Sequence, residues 1–330
     1  MPITLRDVAR KAGVSVKTVS RVVNNQGEIS EETRQRISEV IREMGYRPNL
    51  VARGLVTQRT HTLGLVVPDI TNPFFPEVAR GVQDAARLHR YNVFLCNSGE
   101  DKQEELNVLH SLAEQGVDGI IISPCYSTGD NLAQFAEAFR PIVTINHICS
   151  HPNISMVLTE NVHGAKLAVD YLIGKGHRHI GMVAGLEKSL NRARRIYGFA
   201  EAMKAQGLEV IVENIDGSTP NVESGHAAAL SMLTKQPQLS AIFVYNDLMA
   251  LGVLQACRML GRRVPQDCAI VGFDDIQIAG LIDPALTTVH LDKYRLGQEA
   301  VGRLLEMLDQ PTTQFPPISL EVELVVRQSA

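Results

Sequence analysis

From His61 to Phe273 short apolar runs alternate with amphipathic stretches, and this alternation restricts the fold more than any other feature of the chain. A first series reads LGLVVP, FFPEVARGVQDAARLH, NVFLCN, QEELNVLHSLAEQG, GIIISP, LAQFAEAF and PIVTI. A second reads HGAKLAVDYLIGKG, HIGMVAG, RRIYGFAEAMKAQG, EVIVEN, ESGHAAALSMLTKQ, AIFVY, DLMALGVLQACRMLG and AIVGF. The short runs are apolar at consecutive positions, the pattern of strands buried on both faces of a parallel sheet. Strand and helix in regular succession predict an α/β fold with parallel sheets covered on both sides, and two series predict two doubly wound lobes. With 330 residues, 45% of them hydrophobic and 21% charged, the chain has the apolar material for such cores. No apolar run approaches the roughly 18 to 20 residues a membrane-spanning helix needs, so no membrane partner is expected.

The first sixty residues are of another kind. They hold 11 Lys and Arg against 6 Asp and Glu, whereas the remainder holds 21 against 30. A basic end on an acidic body suits an anionic polymer as partner. Thr4 reads as the N-cap of a helix in which Leu5, Val8, Ala9 and Ala12 share a face, and Gly13 stops it. Ser15 caps a second helix from Val16 to about Asn24, with Val19, Val22 and Val23 as its buried stripe. Val16, Lys17, Thr18, Ser20 and Arg21 are left to face outward. A third helix begins at Ser30 and carries Ile37, Val40, Ile41 and Met44 to Gly45. Two short helices joined by a tight glycine turn and braced by a third make a helix-turn-helix, whose second helix fits the DNA major groove.

LRDVARKAGVSVKTVSRVVN followed by YRPNLVARGL closely resembles the DNA-binding head and hinge of the lactose-repressor (LacI/GalR) family of bacterial transcription regulators. The resemblance implies a head over 1–46, a hinge helix and linker over 47–60, and a two-lobed effector-binding and dimerisation domain over 61–330. It makes Val16 and Lys17 the base-reading pair, with Arg21 later in the same helix. Lys17 and Arg21 can donate to guanine, and Val16 offers an apolar surface to the thymine methyl. Thr4, Ser15, Thr18, Ser20 and Asn24 suit phosphate contacts, which set register without reading sequence. In the hinge, Asn49 and Arg53 are counted with the DNA-binding residues, and Leu55 is implied as a side chain that wedges between base pairs from the minor groove beside its dimer mate. The hinge segment is too short to be a stable helix alone and is expected to order on DNA.

The body also resembles the family's effector domain, which has the fold of periplasmic sugar-binding proteins and binds its ligand between lobes at the carboxyl ends of strands. Phe74 and Phe75, after the first strand, offer rings for stacking or simply fill the core. Asn146 and His147 follow PIVTI, where relatives present polar or aromatic contacts, although His147 departs from the bulky aromatic some of them carry. Asn191 and Arg195 lie one helical turn apart, and Arg195 matches the family's effector-binding arginine. Asn246 or Asp247 caps the helix after AIFVY, and Asn246 is also a ligand candidate. In GFDD, Asp274 matches the family's acceptor for ligand hydroxyls. Together Arg195, Asn246 and Asp274 suit a polyol ring.

No G-x-S-x-G, H-E-x-x-H, P-loop or G-x-G-x-x-G occurs, so no catalytic residue, enzymatic activity or cofactor is expected. His177 and His179 lie two apart and point to opposite sides of a strand, which disfavours a metal. The five cysteines, Cys96, Cys125, Cys149, Cys257 and Cys268, are widely spaced and read as buried thiols. MPITLRDVARKAG lacks the apolar region of a secretory signal, and a cytoplasmic location is expected. These readings converge on an effector-controlled, sequence-specific DNA-binding regulator. It is expected to be a repressor, to act as a homodimer on a near-palindromic double-stranded operator, and to answer to a sugar or sugar derivative. The alternative is a solute-binding protein of a sugar transporter, which the body alone would support.

Overall fold

The computed structural model describes residues 3–23, 27–46, 59–123, 129–139, 141–213 and 219–330. Asn24, Asn49, Arg53 and Leu55 lie outside the described residues, as does Cys125. The chain divides into two compact units, Met1–Thr60 and His61–Ala330.

In the first unit α1 (Leu5–Ala12) starts on a capping box: the Asp7 N–H donates to Thr4 Oγ1 at 3.4 Å and the Thr4 N–H donates to Asp7 Oδ2 at 3.0 Å. It ends at Gly13, whose φ of +67° turns the chain at no steric cost. Helix α2 (Val16–Val23) follows at once, and α3 (Glu31–Met44) starts on the Ser30 cap. Val8, Ala9, Ala12, Val19, Ile37 and Tyr46 form the core between the three helices, with Val22 and Val23 half-buried at its edge.

In the second unit the alternation read from the sequence becomes β1 (Thr62–Val67), α4 (Phe74–Leu88), β2 (Asn92–Asn97), α5 (Lys102–Glu114), β3 (Gly119–Ile122), α6 (Gly129–Ala138) and β4 (Ile142–Ile145). Then come β5 (Ile154–Thr159), α7 (Asn161–Gly174), β6 (Ile180–Val183), α8 (Leu190–Ala205), β7 (Ile211–Glu213) and α9 (Val222–Lys235). The chain finishes with β8 (Ala241–Val244), α10 (Asp247–Met259), β9 (Ala269–Asp274), β10 (Thr287–Leu291), α11 (Lys293–Asp309), β11 (Ile318–Leu320) and β12 (Val322–Val325). One sheet has the order β11-β5-β4-β3-β1-β2 and is parallel throughout. The other has the order β12-β10-β9-β8-β6-β7, with β12 antiparallel on its edge.

The lobes are interleaved. After β5 the chain crosses from the first lobe to the second, after β10 it returns so that α11 packs on α4, and between β11 and β12 it crosses again. Two helix pairs approach through reciprocal glycines. A Cβ on Gly81 of α4 would lie 2.0 Å from the Tyr294 carbonyl oxygen, and one on Gly297 of α11 would lie 2.3 Å from that of Val78. Gly225 of α9 and Gly252 of α10 face Met249 and Val222 carbonyls in the same way. Strand β2 differs from its neighbours, since Phe94 and Leu95 on this sheet edge are exposed. Cys149, Cys257 and Cys268 are buried, but Cys96 is only half-buried, because its strand has a neighbour on one side alone.

Candidate functional site

Each unit presents its own candidate site. On the head, Val16, Lys17 and Arg21 are exposed along α2, while Thr18 and Ser20 are half-buried. The Ser15 and Thr18 hydroxyls share a hydrogen bond of 2.8 Å, and the Thr18 N–H donates to Ser15 Oγ at 3.1 Å, so both side chains order the start of α2. Amide donors at a helix N-terminus flanked by hydroxyls suit a phosphate. The adjoining turns leave two cationic tips and one apolar side chain in solvent, the combination needed to read guanine and thymine edges.

In the body, Phe74, Phe75, Asn146, Asn191, Arg195, Asn246 and Asp274 line one cavity between the lobes. His147 is buried outside that lining, and its carbonyl accepts from Thr144 Oγ1 at 2.8 Å. The Phe74 and Phe75 rings meet edge to face at 5.1 Å and belong to the hydrophobic core as well as to the cavity wall. The two readings of these rings are compatible.

Arg195 organises the second lobe's wall. Its Nε donates to Asn161 Oδ1 at 2.8 Å, one terminal nitrogen donates to the Tyr245 carbonyl, and the other reaches Asp274 Oδ1 at 3.3 Å. Its plane lies 3.6 Å from the centre of the Phe273 ring, which fixes the fork in place. From Asn161 the network runs across the lobe crossing. Asn161 Nδ2 donates to Thr159 Oγ1 at 2.9 Å, and Thr159 Oγ1 donates to Asn146 Oδ1 at 2.9 Å. A side chain of the first lobe is thereby tied to the arginine of the second through Thr159 and Asn161 at the crossing between the lobes. Asn146 reaches its place with φ +58°, a conformation that asparagine tolerates.

Asn246, not Asp247, caps α10, accepting from the Met249 N–H at 2.9 Å. Asp247 is fully buried, accepting from Thr288 Oγ1 at 2.6 Å and the Ile276 N–H at 2.9 Å. Burial, and then the charge of Asp274, hold its carboxyl well above the ordinary range. Burial also raises Asp274, and the charges of Arg195 and Lys293 pull it part of the way back. The Asp274 backbone, at φ +108°, is held by Lys293, whose Nζ donates to the carbonyls of Asp274 at 2.7 Å and Asp275 at 2.9 Å. The same Nζ lies 3.6 Å from the Glu77 carboxylate on α4. Lys293 therefore ties the acidic loop of one lobe to a helix of the other.

The cavity has further walls that sequence reasoning left out: Asn72, Glu100, Ser123, Pro220 and Tyr245. Ser123 directly follows β3, and Glu100 lies just past β2, both at carboxyl ends of parallel strands, the positions to which the switch-point rule directs attention. Among the described residues no group of three or more His, Cys, Asp and Glu is placed to hold a metal ion, and no helix is long and apolar enough to cross a membrane.

A helix-turn-helix head with exposed basic tips, and a two-lobed body with a polar cleft, define a ligand-responsive DNA-binding transcription regulator. Residues 4–49 match the family model of bacterial regulatory proteins, lacI family, and residues 169–330 match that of the periplasmic binding protein-like domain. Catabolite control protein A of Priestia megaterium is 36% identical over 330 residues, spanning 100% of this chain and 99% of its own. A crystal structure of the lac repressor dimer bound to operator and an anti-inducer superposes with a TM-score of 0.89 at 28% identity, covering 100% of this chain and 99% of that one. A transcriptional regulator in complex with cellobiose is 32% identical with a TM-score of 0.74, over 99% of this chain and 100% of that one. The chain belongs to the lacI family of bacterial regulatory proteins and is a DNA-binding transcriptional regulator. These comparisons lend no support to a transporter's solute-binding protein.

Proposed function

We propose that this regulator is a repressor that binds a near-palindromic operator as a homodimer, under the control of a sugar or sugar derivative held between its lobes. The observation that carries the reading is the cleft, where Phe74 and Phe75 face the Asn191, Arg195, Asn246 and Asp274 side chains across a cavity, with Asn146 on the first lobe's side. Aromatic faces beside amide and carboxylate groups are what a hydroxylated ring requires. In this reading 1–46 is the DNA-binding head, 47–60 the hinge and linker, and 61–330 the effector and dimerisation body. Val16, Lys17 and Arg21 read base edges. Thr4, Ser15, Thr18, Ser20 and Asn24 set the register, Asn49 and Arg53 of the hinge also bind DNA, and Leu55 wedges the minor groove. Dimerisation is supported by exposed apolar side chains, among them Leu88 at 81% and Leu281 at 76%, with Phe94 and Leu95 on a sheet edge. The protein works in the cytoplasm and turns over no substrate.

The test selects duplexes from a random pool with the full-length protein and titrates the winner by fluorescence anisotropy, with and without candidate sugars. Enrichment of a near-palindrome whose binding changes with a sugar is the expected result. Lys17→Ala and Arg21→Ala should each lose about 1 to 3 kcal/mol of discrimination against a wrong base. Equal weakening on operator and random duplex would remove both from the reading set, and a sugar-insensitive complex would remove the effector.

A further inference from the structure

Among the described residues lining the cleft, Glu100 is the one charged side chain from the first lobe. It follows Gly99, and the two residues take φ of +64° and +59° in succession. The loop is pinned on one side by the Ser98 and Gly99 N–H groups, which donate to the Val67 and Pro68 carbonyls at 2.9 and 2.8 Å. On the other side Asp101 caps α5, its Oδ1 accepting from the Glu104 N–H at 2.8 Å. A glutamate held in the left-handed region between two such anchors is aimed by its backbone. Its side chain lines the cavity, and its Oε2 is buried with no hydrogen-bond partner among the described residues. Ser123 Oγ, on the same cavity, is buried in the same condition.

Several other polar atoms of the cavity wall already have protein partners. Asn146 Oδ1 accepts from Thr159, Asn246 Oδ1 from the α10 backbone, and the Arg195 fork donates to three protein partners. Among the described residues lining the cavity, Arg195 is the one cation, set against the carboxyls of Asp274 and Glu100. In its ionised form the Glu100 carboxyl offers only acceptors. A ligand that completes this cleft must bring hydroxyl donors to Glu100, and a phosphate or carboxylate would bring acceptors and a second negative charge instead.

We propose that Glu100 makes the cleft selective for an uncharged polyhydroxylated effector and turns away phosphorylated and carboxylated sugars. This rests on the reading of the cleft as the effector site. Asp69 from the loop after β1 and Tyr245 after β8 lie within electrostatic reach of Glu100, Asp274 at the end of β9 and Arg195 on α8 line the same cavity, and Asp101 is beside it in the chain. Burial, then the Asp69 charge, push the Glu100 carboxyl up to about 7. Repulsion of an anion is therefore strongest above neutrality and relaxes as the carboxyl takes up its proton.

The test is a thermal-shift and calorimetric comparison on the full-length protein. The probes are glucose with glucose 6-phosphate and glucuronate, ribose with ribose 5-phosphate, cellobiose, and adenosine with hypoxanthine. At pH 8 a neutral sugar should stabilise the protein and its anionic counterpart should bind at least tenfold more weakly. That gap should narrow severalfold at pH 6 in the wild type, and at both pH values in Glu100→Gln. An anionic sugar that binds as tightly as its neutral parent at pH 8 overturns the inference while leaving a sugar-derivative effector in place. A gap that persists unchanged in both the pH 6 and the Glu100→Gln measurements overturns it too. Stabilisation by the purine probes alone, or by no probe, overturns this inference and the sugar-effector reading together.

Discussion

Asp274 enters the cleft with its carboxylate shared with Arg195 and its carbonyl held by Lys293, so its position is set before any ligand arrives. Hydrogen bonds from ligand hydroxyls to such a carboxylate are charge-assisted, and losing them costs about 1.5 to 3 kcal/mol. Asp274→Ala should weaken effector binding by that amount in calorimetry and leave ligand-free operator affinity nearly unchanged in anisotropy. Unchanged effector affinity would reduce Asp274 to a loop-ordering carboxylate. Glu100 makes a second prediction at this scale. Its ordinary value is 4.5 and the fold raises it to about 7, so between those values the native state binds more protons than the unfolded chain. The stability it contributes is fully present below the ordinary value and is lost as pH rises through the folded one. Glu100→Gln, which cannot ionise, should therefore lose less stability than wild type in urea melts taken from about pH 5 to pH 8. Parallel losses would mean that the carboxyl is not held in its uncharged form by the fold.

The helices depend on contacts that individual side chains cannot relax. Gly81 and Gly297 let α4 and α11 meet backbone to backbone, and the atom nearest an added Cβ at Gly81 is a carbonyl oxygen at 2.0 Å. Overpacking of this kind costs about 1 to 3 kcal/mol, and more where the obstacle is main chain. Gly81→Ala should lower the melting temperature of the full-length protein by several degrees, and an unchanged melt would show that the two helices can slide apart freely. Local signals of the head work differently. The caps at Thr4 and Ser30 bond to N–H groups three residues ahead, and the αL turns fall on Gly13 and Gly45. Such signals act within one turn, which is why the helix limits could be read to within a residue. The same reasoning left open whether Asn246 or Asp247 caps α10, because both residue types cap well. Burial of Asp247 against Thr288 and Ile276 decided it.

At the scale of the molecule, Lys293 is the tie between lobes. It is 2% exposed, and its ammonium serves the carbonyls of Asp274 and Asp275 on one lobe while facing Glu77 on the other. Lys293→Met removes the donor and keeps the bulk, and each carbonyl left without a partner costs about 1 to 3 kcal/mol. The variant should unfold at lower denaturant concentration and bind effector more weakly, since the Asp274 loop loses its support. A variant with wild-type stability would place the hold on this loop elsewhere. What the sequence determined by itself was local and periodic. The alternation of buried strands and amphipathic helices identified two doubly wound lobes, and the caps, glycine turns and exposed tips identified the reading head. The return of α11 and β11 to the first lobe was beyond that pattern, because a strand's apolar run does not say which sheet it joins. Nor could spacing show that the Arg195 fork is filled by partners 34, 50 and 79 residues away, or that His147 stays outside the cavity lining while Glu100 and Ser123 belong to it. A periodic signal records which face of an element is buried. Which side chains from distant elements meet across a cleft is decided by how the chain crosses between its lobes, and only the packed tertiary structure fixes those crossings.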